Sequence, residues 1–364
     1  MDTERNYGCR INTGWAYKGM KTLVLQNEFL KLSILVDKGS DIFELIYKPK
    51  DIDFLWRSPS GIRRPNSTPY ATTPSEHFMD SYFGGWQELF PSASGPANYL
   101  GSSTGFHGEV TYLPWEFSIL KDTAEEIEVL LTTRTVRTPF EIRKKIKLKT
   151  NLKNIFFEES IRNHGNVDLF YMWGHHPAFG APFLSEDCIL SLPECEIITQ
   201  KKQENNNRFR ANDTFIWPHG KNRIGDPIDM QEIVSINEGT SDMLFASKLK
   251  EGWFGLTNKK LGIGIGMGWP IEMFPFIWIW QEFGGHKSYP WYGNAYTLAL
   301  EPFTSIPDLG INGLQEAISN NSASFIKKKQ EVKKEFNVVI YEGDLKIKRI
   351  HPSGEVEFLD ETLL

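Results

Sequence analysis

Three short stretches of the sequence carry residue types suited to proton transfer, and they lie far apart along the chain. The first holds His107 among glycines and aromatic residues, the second holds the pair His175 and His176, and the third holds Glu301 directly before a proline. A histidine and a carboxylate that meet in a cleft can act as general acid and general base. No other part of the sequence competes with these three as a site.

Glu301 stands in an otherwise apolar segment, residues 295–304. Burying an acid there is costly unless the acid is paired or functional. Desolvation would raise its pKa toward neutrality, which suits a general base. Pro302 cannot donate to a strand ladder, so we expect the strand to end beside the carboxylate. The alternative is an edge-strand glutamate that faces water.

The three histidines differ in what the sequence predicts for them. Successive side chains of a strand point to opposite faces, so only one of His175 and His176 can face a given pocket, and a metal site built from both is disfavoured. A histidine pKa near neutral suits a general acid, although a core histidine bonded to the backbone is the alternative for either. Glycines beside His107 would let a ligand approach the backbone, and a turn histidine is the alternative there.

Two aromatic segments are candidate walls for the same site. Residues 83–91 contain Trp86, and residues 278–283 contain Trp280 and Gln281. Aromatic faces pack against the apolar faces of sugar rings, and they also pack well inside a protein core. Both interpretations stay open for each segment.

Composition excludes several classes of protein. The chain has 364 residues, a net charge of −6 and three cysteines. We see no basic face with aromatic platforms, which argues against a nucleic-acid partner. Three cysteines without C-x-x-C spacing form neither a disulfide framework nor a metal site, so we expect buried thiols in a reducing compartment. Neither a P-loop nor a G-x-S-x-G elbow is present.

The chain also lacks the signals of secretion and membrane insertion. Its first ten residues are charged and contain no apolar signal region. No uninterrupted apolar run reaches the roughly 18 residues of a membrane span. We therefore expect a cytoplasmic protein with no membrane partner, and the sequence does not determine its oligomeric state.

Strand patterns dominate the chain. In residues 140–150, Ile142, Ile146 and Leu148 share one parity and charged residues take the other, which predicts a strand with one wet face. Residues 22–36, 127–136 and 337–341 read as strands, and the glycines alternating over residues 262–268 read as a strand with a glycine-lined face. The only helix candidates are short, at residues 75–81 and 313–319. The pattern predicts an all-β protein, a large β-sandwich forming a single domain over residues 1–364.

Taken in order, the three motifs resemble those of the galactose mutarotase (aldose 1-epimerase) superfamily. That family has a histidine-glycine-glycine motif followed by a tryptophan, a histidine-x-tyrosine-phenylalanine motif, and a late strand that ends in a glutamate. The corresponding residues here are His107-Gly108-Glu109 with Trp115, His176-Pro177-Ala178-Phe179, and Leu300-Glu301-Pro302. The resemblance spans most of the chain.

The resemblance implies a β-sandwich of the mutarotase type (a supersandwich) with its site in a groove on one sheet. It implies that Glu301 removes the proton of the anomeric hydroxyl of a free aldose and that His176 protonates the ring oxygen. The ring then opens, and closure after rotation gives the other anomer. His107 would bond the sugar near the ring oxygen, and neither metal nor cofactor is required.

The recognition residues depart from the family pattern. An asparagine of the family is replaced by His175, and the family's sugar-binding aspartate matches Asp242. We add Gln281, Trp86 and Trp280 as predicted substrate contacts. The family's sugar-binding arginine has no counterpart in residues 84–105.

Two alternative functions follow from these departures. One is a non-catalytic carbohydrate-binding or sensing protein on the same scaffold, since a fold does not fix a function. The other is an epimerase for a phosphorylated or otherwise charged sugar, with Arg63 and Arg64 as the anion contact. Adjacent arginines in a loop are also often simply solvated.

Overall fold

Antiparallel strands make up almost all of the regular structure. The computed structural model describes residues 5–64, 71–204, 206–307, 313–344 and 346–359. The strands of the first half of the chain are β1 Arg10–Tyr17, β2 Met20–Gln26, β3 Leu30–Leu35, β4 Asp41–Tyr47, β5 Ile52–Asp53, β6 Trp86–Leu89, β7 Ala97–Tyr99, β8 Ser102–Thr104, β9 Glu116–Asp122, β10 Glu126–Arg134, β11 Phe140–Lys149, β12 Asn154–Asn163, β13 Leu169–Tyr171 and β14 Gly174–Phe179.

The second half continues the same pattern. Its strands are β15 Cys188–Ser191, β16 Glu196–Thr199, β17 Thr214–Ile216, β18 His219–Lys221, β19 Pro227–Asp229, β20 Thr240–Ser247, β21 Gly252–Asn258, β22 Ile263–Trp269, β23 Phe276–Phe283, β24 Tyr296–Phe303, β25 Ser324–Ile326, β26 Glu331–Glu342, β27 Ile347–Ile350 and β28 Val356–Phe358. The two α-helices are α1 Pro74–Ser81 and α2 Gly313–Ser319, and short 3-10 turns occur at Lys48–Lys50, Val110–Tyr112 and Ile236–Glu238.

Two large sheets form the sandwich. The first has 12 strands in the order β1-β2-β3-β4-β6-β14-β24-β23-β20-β16-β17, with β5 paired to β4. The second has 8 strands in the order β15-β21-β22-β26-β12-β11-β10-β9. The main apolar core joins inward side chains of both sheets, such as Leu25 and Leu32 from one and Ile142 and Phe157 from the other. The predicted all-β sandwich is confirmed.

The strand periodicity explains which side chains reach this core. In β11, Ile142, Ile146 and Leu148 are fully buried on one face, as predicted. Lys144 lies on that same inward face and is 3% exposed. The alternation therefore predicted the strand and its inner face, but it did not reveal that a charged side chain is buried there.

The prediction that ladder pairing stops at Pro302 is wrong, although Glu301 does lie within the last three residues of its strand. Strand β24 continues to Phe303, which pairs with Phe276 on one side and with Gly174 on the other. The ladder to β14 has no partners between its Gly174 and Ala178 pairs. A proline is tolerated there because no backbone donor is needed across this gap.

The glycine-lined strand predicted over residues 262–268 is β22, and its glycines make room for the C-terminal hairpin. A Cβ atom on Gly264 would lie 2.1 Å from the ring of Tyr341, and one on Gly266 would lie 2.1 Å from Cδ1 of Ile350. Strands β27 and β28 of this hairpin cover the outer face of the 8-stranded sheet, where Ile347 and Ile350 are buried. This packing lies on the side of the molecule that is remote from the motifs.

Two further observations bear on the predictions. All three cysteines, Cys9, Cys188 and Cys195, are buried and free. Within the described residues, no helix has both the length and the apolar character that crossing a membrane would require.

Candidate active site

A cavity of about 260 Å³ opens on the outer face of the 12-stranded sheet. Strands β14, β24, β23 and β20 form its floor. Helix α1, the loop around His107 and the loop of residues 284–295 form its walls. A capping box between Thr73 and Glu76 fixes the start of α1. The helix can therefore present Phe78 and Met79 to the cavity.

The register of two neighbouring strands brings the predicted acid and base together. Gly174 pairs with Phe303 and Ala178 pairs with Ala299, so His176 lies opposite Glu301. Residues directly opposite in an antiparallel pair have side chains on the same face and within reach of each other. Both side chains line the cavity. Their meeting depends on pairing between strands more than a hundred residues apart in the chain.

His176 and Glu301 form a buried pair. Nε2 of His176 lies 3.4 Å from Oε1 of Glu301. Burial raises the pKa of Glu301 well above its ordinary value and lowers the pKa of His176 to about 4. The pair therefore favours a state in which both groups are uncharged and the single titratable proton that they share lies on Glu301. Oε2 of Glu301 has no hydrogen-bond partner among the described residues, which leaves it available to a ligand.

His107 faces the same pair across the cavity, with 5.8 Å between its ring centre and that of His176. It adopts a positive φ of 62°, and the next residue, Gly108, has a φ of 84°. A Cβ atom on Gly108 would lie 2.5 Å from the carbonyl oxygen of Phe90, so only glycine fits this turn.

The tautomer of His107 follows from its contacts. The backbone N–H of Ser94 donates to Nδ1 of His107 at 3.2 Å. Burial, together with the neighbouring His176, lowers the pKa of His107 well below its ordinary value, so the ring is neutral. A neutral ring whose Nδ1 accepts must carry its hydrogen on Nε2. His107 therefore offers a hydrogen-bond donor to a ligand.

Tyr82 is a site residue that the sequence did not reveal. It follows helix α1, lines the cavity, and places its hydroxyl 3.5 Å from Nδ1 of His176. Burial, with Glu301 nearby, raises the pKa of Tyr82 well above its ordinary value, so its hydroxyl stays protonated and can donate to that nitrogen. Tyr82 also packs edge-on against Trp291, another cavity residue that sequence reasoning missed.

The other end of the cavity carries a second polar group. Glu282 lies on β23, on the same face as Trp280, and is 1% exposed. Its Oε2 accepts from the Ser241 hydroxyl at 2.7 Å, and its Oε1 accepts from the backbone N–H of His286 at 2.9 Å. Its parity with Trp278 and Trp280 is the signal in the sequence that could have found it.

Four of the eight predicted site residues line the cavity: His107, His176, Trp280 and Glu301. The other four are corrected, because none of them is among the residues that line it. Trp86 packs in the core between the sheets. Gln281 follows Trp280 and takes the opposite face of β23. Asp242 accepts from the backbone N–H groups of Arg208 and Phe209 at 3.0 and 3.3 Å, away from the cavity.

His175 is the fourth correction, and it belongs to a different group of charges. Its Nδ1 accepts from the indole N–H of Trp86 at 3.2 Å, and its Nε2 lies 3.0 Å from Oε2 of Glu159. Burial lowers the pKa of His175 to about 3. With Nδ1 accepting, the neutral ring donates from Nε2 to Glu159.

We call this group the inter-sheet cluster; its members are Glu88, Lys144, Glu159, His175 and Lys334. Nζ of Lys144 lies 3.2 Å from Oε2 of Glu88. The Trp173 indole donates to the other oxygen of Glu88 at 2.8 Å. All five side chains are buried between the two sheets.

The cluster contains a possible metal-ligand set. Ligand atoms of Glu88, Glu159 and His175 lie within 4.8 Å of one another. The ammonium group of Lys144 already supplies the positive charge beside Glu88, and that of Lys334 lies over the ring of Phe274 at 4.3 Å. Buried charges that are paired in this way are typical of a structural ion-pair network.

Glu109, the last residue of the first motif, has a structural role. Its carboxylate accepts from the backbone N–H groups of Val136 and Arg137, each at 2.8 Å, and from the hydroxyl of Thr138 at 2.8 Å. These bonds hold the loop between β10 and β11 against the loop that carries His107.

The arginine pair lies outside the cavity lining. Arg64 donates to the backbone carbonyls of Lys18 and Gly19 at 2.9 and 2.6 Å. Neither Arg63 nor any other arginine or lysine is among the described residues that line the cavity.

Comparison with known proteins identifies the family. The family model described as a domain of unknown function, DUF4432, matches residues 17–340. The chain belongs to the DUF4432 family. No curated protein matches the sequence.

Solved structures place this DUF4432 protein among folds of the galactose mutarotase type. A provisionally assigned aldose 1-epimerase from Klebsiella pneumoniae aligns with a TM-score of 0.69 at 12% identity, over 92% of this chain and 84% of its own. The Slr1438 protein of Synechocystis gives a TM-score of 0.62 at 16% identity, over 91% and 99%. A galactose mutarotase related enzyme from Lactobacillus acidophilus gives 0.59 at 17%, over 88% and 98%. At these identities the likeness establishes the fold.

Proposed function

We propose that this protein is an aldose 1-epimerase-like enzyme that interconverts the α and β anomers of a free aldose by ring opening. The observation that carries the proposal is the buried pair of His176 and Glu301, 3.4 Å apart, in a cavity walled by aromatic side chains. Anomer interconversion requires one proton to leave the C1 hydroxyl and one to reach the ring oxygen. A carboxylate and a histidine sharing one proton match that requirement.

The steps follow from the proton count of the pair. Ring opening starts from the ion-pair form, in which Glu301 is ionised and His176 is protonated. Glu301 takes the C1 hydroxyl proton as the C1–O5 bond breaks, and His176 gives its proton to O5. The open-chain aldehyde now faces the neutral pair, which burial favours. The enzyme therefore stabilises the protonation state that the open-chain intermediate requires.

Ring closure reverses the transfers after rotation about the C1–C2 bond. The O5 hydroxyl attacks the aldehyde from the other face and returns its proton to His176, while Glu301 gives its proton to the aldehyde oxygen, which becomes the new C1 hydroxyl. His107 donates from Nε2 toward the sugar oxygens near the pair. The faces of Trp280 and Trp291 pack against the apolar C–H faces of the ring. The net reaction consumes and releases nothing.

The lining of the cavity favours an uncharged sugar over a phosphorylated one. Two carboxyl groups, Glu301 and Glu282, and no described lysine or arginine line it. An anionic substituent would lose its hydration there without gaining a cation. The arginine contact that motivated a charged substrate is therefore unsupported, because the guanidinium group of Arg64 is held by backbone carbonyls.

The test is the anomerisation rate of a panel of aldoses, measured by NMR exchange between anomeric signals with and without protein. We expect acceleration of at least one aldose, and a loss of about 10²- to 10⁴-fold in kcat/KM for Glu301→Gln with binding retained. Glu272→Gln, at an exposed position outside the cavity lining, is the matched control and should behave as the wild type. Binding without any acceleration across the panel would instead favour a carbohydrate-binding protein.

A further inference from the structure

The far end of the cavity is built to accept hydrogen bonds. The Glu282 carboxylate is fixed there by Ser241 and by the backbone N–H of His286. Nε2 of His286 lies 2.9 Å from the carbonyl oxygen of Tyr289, which can only accept, so that nitrogen carries the hydrogen. In the neutral ring, Nδ1 of His286 is then an acceptor. The proposed reaction uses neither Glu282 nor His286.

This end of the cavity lies two same-face positions along the sheet from the acid–base pair. Glu301 pairs with Trp278 and Glu282 pairs with Thr297, so the two glutamates are four residues apart along β23 and β24. At about 3.3 Å per residue, their Cα atoms are separated by about 13 Å along the strand direction. This Cα separation exceeds the distance between O1 and O4 of a single pyranose, so a second linked unit is the ligand that would extend over both ends.

The contacts of Glu282 keep its carboxylate at that distance. Ser241 is the direct cross-strand partner of Glu282. The bond from the Ser241 hydroxyl therefore holds Oε2 of Glu282 at the strand position of Glu282 itself. The other oxygen is held by the backbone N–H of His286, in the loop that follows β23. Both bonds therefore hold the carboxylate toward β20, on the side of β23 opposite to β24 and Glu301. The indole of Trp280 lies between the two ends and offers an apolar surface to whatever connects them.

We propose that Ser241, Glu282 and His286 form a second subsite, which binds a sugar unit linked to the reacting aldose at the end remote from C1. The preferred substrate would then be an uncharged reducing disaccharide. The reducing ring lies at Glu301 and His176, and hydroxyl groups of the second ring donate to Glu282 and to His286. This assignment rests on the proposed function for the placement of the reducing ring.

The chemistry of the subsite sets its selectivity. Carboxylate and imidazole acceptors reward hydroxyl donors, and a hydrogen bond to a charged group is stronger than one between neutral groups. A phosphate or a carboxylate on the second unit would be repelled by Glu282. Lys287 follows His286 in the chain but is exposed and is not among the residues that line the cavity, so it does not reverse this preference.

The experiment compares D-glucose, the reducing disaccharides maltose, cellobiose, lactose and melibiose, and glucose 6-phosphate as NMR substrates of the wild-type protein and of Glu282→Gln. We expect at least one disaccharide to exceed glucose in kcat/KM by about tenfold or more, since hydrogen bonds to charged groups contribute at that level. Glucose 6-phosphate should be the poorest substrate. Glu282→Gln should lower the value for the preferred disaccharide by about tenfold and the value for glucose by much less.

Each other result has a definite meaning. If no disaccharide exceeds glucose, or if Glu282→Gln lowers both values equally, the subsite is refuted while the proposed function stands. If no sugar is anomerised, the proposed function fails, and the Kd values from NMR titration decide the subsite alone. They support it if cellobiose or another disaccharide binds more tightly than glucose and loses that advantage in Glu282→Gln. Should that variant fail to fold, Ser241→Ala takes its place, because it removes one of the two bonds that fix the carboxylate. The loss should again be larger for the preferred disaccharide than for glucose, and equal losses would refute the subsite.

Discussion

His175 and His176 are neighbours in the chain, yet they belong to two different kinds of buried polar group. His176 faces the cavity, where Glu301 has no cation beside it among the described residues. His175 faces the space between the sheets, where Lys144 compensates Glu88 at 3.2 Å and the imidazole donates to Glu159. Both histidines are almost completely buried. They differ in whether the surrounding charges are balanced.

That difference distinguishes a site from a structural network. A buried carboxylate without a cation is costly to the folded protein, and such groups concentrate where a ligand completes the arrangement. A buried carboxylate beside an ammonium group and an indole donor has its charge compensated by the protein itself. The inter-sheet cluster can thus hold the two sheets in one arrangement. Oε1 of Glu159 there and Oε2 of Glu301 both lack a hydrogen-bond partner among the described residues, but of the two residues it is Glu301 that lines the cavity.

The largest expected effects separate the two histidines directly. His176→Gln should lower kcat/KM by about 10²- to 10⁴-fold because it removes the proposed general acid. It should leave the free energy of unfolding nearly unchanged at neutral pH. His175→Phe should instead lower the free energy of unfolding by about 1–3 kcal/mol for each partner left unsatisfied, here Glu159 and the Trp86 indole. Chemical denaturation and NMR exchange rates, corrected for the folded fraction, measure both.

Equal losses of activity per folded molecule in the two variants would contradict this separation. Such a result would mean that the role of a histidine in β14 does not depend on the face of the strand on which it lies.

A second comparison tests the inter-sheet cluster within one strand. Lys144→Met should destabilise the protein by about 3–5 kcal/mol, because it leaves Glu88 as a buried charge without its partner. The neighbouring Lys145→Met is the control, since Lys145 pairs with Glu158 at a partly exposed position, where such pairs contribute about 0–1 kcal/mol. Urea unfolding of both variants measures the difference. Similar midpoints for the two would show that the cluster is not a stabilising ion-pair network.

The smallest expected effect is a displacement of the acid limb of the pH profile. The pKa of His176 is lowered to about 4 by burial, so the pair gains a second proton only as the pH falls to about that value. We expect kcat/KM to stay level through pH 6.5 and to fall near pH 4. A limb centred near 6.5 would contradict the buried environment of His176 and would instead indicate a solvated histidine.

The same lowered pKa has a consequence for stability. A histidine whose pKa is lower in the folded state than in the unfolded chain contributes stability above the unfolded value of about 6.5. That contribution is lost as the pH falls from there toward about 4. His176→Gln should remove this part of the acid destabilisation, and Tm values at pH 7 and pH 4.5 measure it.

Much of the fold was predictable because strand periodicity is a local property. The alternation in residues 140–150 predicted β11, and the two short helix candidates at residues 75–81 and 313–319 correspond to α1 and α2. The wrong prediction at Pro302 has a local cause that the sequence could not show. The missing donor matters only if a neighbouring strand needs it, and the ladder to β14 has a gap there.

The site was predictable only in part. His107, His176 and Glu301 could be found because histidines and an acid in apolar segments are unusual. Glu282 was missed, although it shares the parity of Trp280, because nothing in the sequence tells which parity of β23 faces the cavity. Gln281 was misassigned for the same reason, and Trp86 because its side chain in β6 points into the core between the sheets.

The sequence by itself determined the strands, the all-β class and the candidates for the acid and the base. The tertiary structure alone decided which face of each strand meets the cavity. Buried charges such as Lys144 and Lys334 lie on inward faces, so polarity does not mark the outside of every strand. The tertiary structure also decided the meeting of His176 with Glu301. That contact depends on the pairing of β14 with β24, which local sequence patterns do not encode.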